Sequence, residues 1–199
     1  GGEAEGKHFF TMEYIEGKPL DRWLAEDAPP LSERVEVVRD IGRAVHYAHD
    51  QKIVHRDIKP ANILVDKERH AWITDFGIAR ELGVPSSLTG ANVVVGTPSY
   101  MSPEQALGEP ERVGPSCDVY GLGAVLYEAV TGRPPFLGKN DIDTLEKLLH
   151  EDVELPRALV PDLSADLEKV ILKSLEKEPG ARYRTAAELC DDLQRYLRG

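Results

Sequence analysis

The sequence has little cysteine, no long apolar run and no excess of positive charge. Only Cys117 and Cys190 occur among the 199 residues, without a CxxC pair, so neither a disulfide framework nor a zinc site is indicated. Two isolated cysteines are more usual in a reducing compartment, and a cytoplasmic location is expected. The longest apolar stretch, 119–127, is far shorter than the ~20 residues that span a bilayer. We therefore expect no membrane segment in this chain, although segments outside it could anchor a longer protein.

The net charge of −11 excludes one broad class of function. With 24 Lys and Arg against 35 Asp and Glu, the chain offers no overall positive field to a phosphate backbone, so no nucleic-acid partner is expected. The 41% of apolar and 30% of charged residues are ordinary for a folded protein and argue against wholesale disorder. A chain of this length favours a single domain with a core of its own.

Hydrophobic periodicity predicts a mainly helical chain with a little sheet near its front. Ser32 is the expected N-cap of a helix that runs to about Asp50. Segments 63–65 and 71–74, joined by a charged turn, predict a β-hairpin, and 8–14 is expected to be a short buried strand. Further helices are expected over 118–131, which is apolar nearly all round, over 141–150 and 164–177, and after a capping box at Thr185.

Two short polar segments place acceptor side chains next to this hairpin. Asp57, Lys59 and Asn62 lie in an irregular, proline-broken stretch after the first long helix, and Asp75 follows the second strand. Because a hairpin returns the chain, Asn62 and Asp75 can converge on one point. An amide oxygen and a carboxylate form the hard oxygen site that Mg²⁺ takes alongside phosphate oxygens. Asp57 could accept a proton nearby, and Lys59 could neutralise a phosphate.

Two triplets in these segments, His-Arg-Asp (55–57) and Asp-Phe-Gly (75–77), are not specific by themselves. Either one alone is more often a turn or a surface ion pair. Their joint order carries more weight. The chain contains HRDIKPANIL (55–64), DFG (75–77), GTPSYMSPEQ (96–105) and DVYGLGAVLYEAVTGRPPF (118–136), followed by Arg182. In this order the motifs resemble the protein kinase family, specifically the C-terminal large lobe of a bacterial-type serine/threonine kinase.

The resemblance covers nearly the whole chain and implies a fold. That fold is mainly α, a kinase-like large lobe in which a helical bundle surrounds a buried central helix beside a small β-hairpin. Residues 1–17 would be the last strand of the small lobe and the hinge, and residues 18–199 would be the large lobe. The family's glycine-rich phosphate loop, strand lysine and helix glutamate do not occur before Met12, so the rest of the small lobe is expected upstream.

The resemblance also implies ATP and Mg²⁺ as cofactors and a protein Ser/Thr hydroxyl as the acceptor. Asp57 would be the catalytic base in residues 55–62, the catalytic loop. Lys59 would contact the transferred phosphate, and Asn62 and Asp75 would hold Mg²⁺. The expected adenine contacts are Met12, Glu13, Ile15, Leu20 and Leu64.

The long loop after Asp75 would be an activation segment controlled by phosphorylation. Arg56 and Arg80 would form a cationic pocket for a phosphate, and Thr97 together with Lys59 resembles the serine/threonine branch. The expected phosphate acceptors are Ser86, Ser87 and Thr89. The residues expected to act structurally are His55, Phe76, Glu104, Asp118 and Arg182, with Asp118 anchoring the catalytic loop and Glu104 paired with Arg182.

Two substitutions depart from the family pattern, and two other functions stay open. Ala61 and Pro19 stand where many kinases have acidic substrate contacts, which leaves the preferred substrate sequence open. The first alternative is a pseudokinase that acts as a binding scaffold, and the intact acceptor side chains argue against it. The second is a kinase-like small-molecule phosphotransferase, and the DFG together with the loop that ends in Pro-Glu argues against that.

Overall fold

A computed structural model describes residues 2–4, 7–9, 13–76 and 98–199. This part of the chain contains eight α-helices and two small antiparallel sheets. The helices are α1 (Leu20–Glu26), α2 (Leu31–Asp50), α3 (Pro103–Ala106), α4 (Pro115–Thr131), α5 (Asp141–His150), α6 (Pro156–Leu159), α7 (Ala165–Ser174) and α8 (Ala186–Arg198). The prediction of a mainly helical chain is confirmed.

The strands form one pair and one three-stranded sheet. They are β1 (Gly2–Ala4), β2 (Lys7–Phe9), β3 (Gly17–Pro19), β4 (Ile63–Asp66) and β5 (Ala71–Ile73). Strands β1 and β2 pair with each other, and the second sheet has the order β3–β4–β5. The predicted hairpin is confirmed as β4 and β5, in which Leu64 lies opposite Trp72.

The sheet differs from the prediction at its front. Of the expected buried strand 8–14, the structure describes Lys7–Phe9 as β2, while residues 13–14 are not in a strand and Tyr14 is 86% exposed. Residues 10–12 lie outside the described residues. Strand β3 has no counterpart among the predicted strands, yet it pairs with β4. Its glycine permits this close approach, since a Cβ on Gly17 would lie 2.9 Å from the carbonyl oxygen of Val65.

Helix α4 is the centre of the core. Every residue from Cys117 to Tyr127 is buried, as a helix that is apolar on all sides requires. Helices α2 and α7 pack against α4, and α2 also packs against α8. At the α7 contact a Cβ on Gly123 would lie 2.5 Å from the Cβ of Ser174, so glycine lets the two helices meet. None of the described helices combines the length and apolarity needed to cross a bilayer.

Two predicted caps differ in detail from the structure. Ser32 is not the N-cap of α2: the helix begins at Leu31, and Pro30 takes the cap position with extended backbone. The proline presets φ at this position, and no side chain caps the helix. At α8 the Thr185 hydroxyl accepts from the Glu188 N–H at 3.2 Å, as predicted. The return bond of the capping box goes to the N–H of Arg184 at 3.0 Å instead of Thr185.

Candidate active site

The carboxylate of Asp118 anchors the backbone of the catalytic loop. This residue lies in the first turn of α4 and is 1% exposed. Its Oδ2 accepts from the His55 N–H at 2.8 Å, and its Oδ1 accepts from the Arg56 N–H at 2.7 Å. A carboxylate that is otherwise costly to bury thus fixes two consecutive peptide groups just before Asp57.

His49 is a member of this site that the sequence reasoning missed. Its Nε2 lies 2.7 Å from Oδ2 of Asp118, and the His49 side chain is 7% exposed. The signal was present in the sequence. His49 lies one turn after the buried Val45 and extends the apolar face of α2, where a polar side chain needs a buried partner.

His55 connects the catalytic loop to the chain after β5. The Asp57 N–H donates to Nδ1 of His55 at 3.3 Å, so the ring proton is assigned to Nε2, which donates to the carbonyl of Thr74 at 2.9 Å. The Phe76 ring packs against the imidazole with a centroid distance of 4.7 Å. Both ring nitrogens of the buried histidine therefore have a hydrogen-bond partner.

Asp57, Lys59 and Asn62 form one hydrogen-bonded group. Oδ2 of Asp57 accepts from Lys59 Nζ at 2.8 Å and from Asn62 Nδ2 at 3.0 Å. The same amide nitrogen donates to the Asp57 carbonyl at 2.8 Å, so the side chain and the backbone of Asp57 both orient Asn62. The Asp57 side chain is 38% exposed, which leaves the carboxylate accessible to a reactant.

The backbone brings Asp75 next to Asn62. The Thr74 N–H donates to the Asn62 carbonyl at 2.9 Å, and Asp75 is the following residue. Asp75 has a φ of +57°, in the left-handed region that costs a non-glycine residue about 1–3 kcal/mol. Because Asn62 Nδ2 is engaged by Asp57, the amide oxygen is the Asn62 atom that can act as a ligand. That oxygen and the exposed carboxylate of Asp75 are donors of the kind Mg²⁺ takes.

The residues expected to contact adenine have different surroundings. Glu13 is exposed, while Ile15 and Leu64 are half-buried. Leu20 is fully buried at the start of α1, where its side chain belongs to the core. The remaining expected site residues lie outside the described residues; they are Met12, Arg80, Ser86, Ser87, Thr89 and Thr97.

The 98–106 segment, which consists of a short 3₁₀ turn and α3, lies against the catalytic loop. Tyr100 donates to Oε2 of Glu128 at 2.5 Å. Burial raises the pKa of the Glu128 carboxyl despite this bond, and burial together with the carboxylate raises the pKa of Tyr100. Nε2 of Gln105 donates to the Arg56 carbonyl at 2.8 Å. Sequence reasoning missed Gln105, although Ser102 and Gln105 have the spacing of a capping box.

Comparison with known proteins agrees with this arrangement. The family model for the protein kinase domain matches residues 3–193. The chain belongs to the protein kinase family. This kinase domain is 42% identical over 204 residues to serine/threonine-protein kinase PknB of Mycobacterium tuberculosis and 40% over 203 residues to PknB of Mycobacterium leprae, both covering 100% of the chain. It is 37% identical over 194 residues, 97% of the chain, to serine/threonine-protein kinase PrkC of Bacillus subtilis. The chain spans 32% of both PknB proteins and 30% of PrkC.

Glu104 and Arg182 form a buried ion pair in this kinase domain. Two parallel bonds of 2.8 Å join the guanidinium to the carboxylate, and Glu104 and Arg182 are 1% and 3% exposed. Arg182 also donates to the carbonyls of Glu176 and Lys177, each at 2.8 Å. Burial raises the pKa of Glu104, but the hydrogen bonds and charge of Arg182 outweigh it and bring the pKa below its usual value. The pair ties α3 to the chain between α7 and α8.

Proposed function

We propose that the protein is a serine/threonine protein kinase that transfers the γ-phosphate of ATP to a protein hydroxyl. The observation that supports it best is the accessible carboxylate of Asp57, oriented by Lys59 and Asn62 within a loop anchored on Asp118. Relatives named serine/threonine-protein kinases match the whole chain, which supports the same acceptor class. Within this proposal residues 1–17 are the end of the small lobe and the hinge, and 18–199 are the large lobe. The small-lobe part contains the β1–β2 pair, where a single last strand was expected.

Each member of the site has a chemical role in the proposed reaction. Asp57 accepts the proton of the substrate hydroxyl; its Oδ2 is engaged by Lys59 and Asn62, so Oδ1 is the oxygen left for the substrate. The Lys59 ammonium neutralises charge on the transferred phosphate. Asn62 and Asp75 would hold Mg²⁺, which would neutralise negative charge on the phosphates of ATP.

Replacing the proposed base tests this function. In the full-length protein, Asp57→Asn is expected to lower kcat by about 10²–10⁴-fold, because the amide cannot take a proton. The fold is expected to survive, since the amide oxygen can still accept from Lys59. Measurement of kcat on a Ser/Thr peptide with Tm on the same sample separates the two effects. Asp75→Asn is expected to lower kcat and to raise the Mg²⁺ concentration needed for half-maximal rate.

Asp27→Asn is the matched control, because Asp27 also accepts from a lysine, Lys18, at 2.6 Å but lies on the surface. It is expected to retain full activity. Near-normal kcat in Asp57→Asn would show that the base is assigned to the wrong residue.

We further propose that phosphorylation of the 82–95 loop controls the enzyme. Nε of Arg56 is a buried donor with no hydrogen-bond partner among the described residues, which suits an anion. A phosphate of roughly −2 charge would pair with Arg56 and Arg80. The candidate acceptors are Ser86, Ser87 and Thr89.

Mass spectrometry of the active full-length protein is expected to find phosphate on this loop. The triple variant S86A/S87A/T89A is expected to lose most of its kcat, whereas Ser32→Ala, an exposed hydroxyl on α2, leaves it unchanged. An active enzyme with no loop phosphate and an unchanged rate in the triple variant would refute this control mechanism.

A further inference from the structure

Arg56 has a backbone conformation that needs support from its surroundings. Its φ is +66°, in the left-handed region that a non-glycine side chain disfavours. On one side, its N–H donates to Oδ1 of Asp118 at 2.7 Å. On the other side, its carbonyl oxygen accepts from Nε2 of Gln105 at 2.8 Å. That carbonyl belongs to the peptide that leads directly into Asp57, so Gln105 holds the backbone immediately before the proposed base.

The amide of Gln105 is itself fixed in orientation. Its Oε1 accepts from the backbone N–H of Ser102 at 3.1 Å and from the Ser102 hydroxyl at 3.0 Å. The NH₂ group must therefore point toward Arg56. A flipped amide would set two oxygens against each other at Arg56 and would lose the cap of α3. One side chain thus links the start of α3 to the catalytic loop.

The element that carries Gln105 has a firm attachment. The preceding residue, Glu104, is 1% exposed and makes the two-bond ion pair with Arg182. Pro103, also buried, begins the helix. Since α3 is fixed to the C-terminal part of the domain, the Gln105 side chain that bonds to Arg56 extends from a rigid helix.

We propose that Gln105 is a positioning residue that couples the 98–106 segment to the orientation of Asp57. This inference rests on the proposed kinase function. Gln105 does not touch the reacting atoms; it acts through the Arg56 carbonyl. Displacement of the 98–106 segment would withdraw the Gln105 donor and release the Arg56–Asp57 peptide, so the base would be in place only when that segment is in place.

The substitution Gln105→Glu in the full-length protein tests this coupling. The new carboxylate still accepts from Ser102, so the cap is kept, but it has no donor for the Arg56 carbonyl. A misplaced base is expected to lower kcat by about 10- to 100-fold while the KM for ATP is unchanged. Gln194→Glu is the matched control: it makes the same change at a glutamine on α8 that accepts from Arg39 at 3.1 Å, so its kcat is expected to stay within about 3-fold of wild type.

A pH profile distinguishes positioning from damage to the fold. At acid pH the new carboxyl becomes protonated and can donate to Arg56 again, so the ratio of variant to wild-type kcat is expected to rise as pH falls toward about 4.3. Equal kcat in wild type and Gln105→Glu, a loss matched by Gln194→Glu, or a pH-independent ratio would each overturn the coupling. If wild type transfers no phosphate to any Ser/Thr peptide, the proposed function itself fails, which is a separate outcome.

Discussion

At the scale of single residues, the environment of Asp118 decides how well the catalytic loop is held. Its carboxylate is 1% exposed and meets three nitrogens, those of the His55 and Arg56 backbone and the ring of His49. When a buried carboxylate loses a hydrogen-bond donor, the protein loses more free energy than the bond itself contributed, because the acceptor stays desolvated. His49 is therefore expected to matter for both stability and rate.

His49→Phe keeps a ring of similar size and removes only the donor to Asp118. The variant is expected to lose about 1–3 kcal/mol of unfolding free energy, the cost of an unsatisfied buried acceptor. It is also expected to lose kcat with little change in the KM for ATP, because the loop beneath Asp57 is loosened. Chemical denaturation and steady-state kinetics measure the two effects.

His46→Phe is the control for this experiment. His46 lies one turn earlier on α2 and approaches Asp50 only at 3.9 Å, with both side chains partly exposed. A change on that surface is expected to stay within about 0.5 kcal/mol. If the two variants were equally stable and equally active, the His49–Asp118 contact would have no role in holding the loop.

At the scale of secondary-structure elements, periodicity predicted the long helices well. Helix α5 runs from Asp141 to His150 as expected, and α4 contains the predicted 118–131. These segments have a buried face several turns long, so their hydrophobic pattern is clear. Strand β3 and helix α1 were not predicted, because each is short and depends on contact with β4 rather than on its own pattern.

The candidate site was predicted where the sequence contains long contiguous motifs. The segments holding Asp57 and Asp75 were placed together because a hairpin separates them, and the bond from Thr74 to Asn62 joins them. His49 and Gln105 were missed because their partners, Asp118 and the Arg56 carbonyl, are distant in sequence. The periodicity of α2 indicates that His49 needs a buried partner, but no local pattern in the sequence identifies that partner as Asp118.

The ion pair between Glu104 and Arg182 fixes one element, α3, to the C-terminal part of the domain. Arg182→Met is expected to cost about 3–5 kcal/mol of unfolding free energy, because it leaves the Glu104 carboxylate buried without its partner. The exposed pair of Arg112 and Glu178 is the control, with side chains 44% and 77% exposed. Arg112→Met is expected to leave the unfolding free energy almost unchanged, because exposed ion pairs contribute little.

The pH dependence of this effect follows from the lowered pKa of Glu104. In wild type the stabilisation is complete above the unfolded pKa of about 4.3 and is lost as pH falls through the lower folded pKa. In Arg182→Met the unpaired, buried Glu104 takes up a proton more readily, so the variant's deficit is expected to shrink as pH falls. Tm measured from about pH 7 to about pH 4 tests this. A deficit that stays constant or grows toward acid pH would contradict the ion-pair explanation.

At the scale of the whole molecule, the described residues place the proposed base and the 98–106 segment in one unit. Helix α4 supplies Asp118 from the centre of the core, and α3 supplies Gln105 from the other side of the catalytic loop. Both supports are contacts within the protein. The large lobe proposed here thus preorganises the acceptor side of the reaction, while ATP positioning depends on other parts of the family's fold.

A protein made of only these 199 residues is accordingly expected to show no measurable phosphate transfer and at most weak binding of Mg-ATP. The sequence contains neither the family's glycine-rich phosphate loop nor its strand lysine, the groups that orient ATP. Positioning of that kind contributes several orders of magnitude to rate, about 10⁵ M or more in effective concentration. Calorimetric titration with Mg-ATP and transfer to a Ser/Thr peptide measure both properties, with the full-length protein as the positive control and Asp57→Asn as the blank for contaminating kinase. Robust transfer by the 199-residue chain that Asp57→Asn abolishes would show that the large lobe alone suffices, and the proposed division of labour would be wrong.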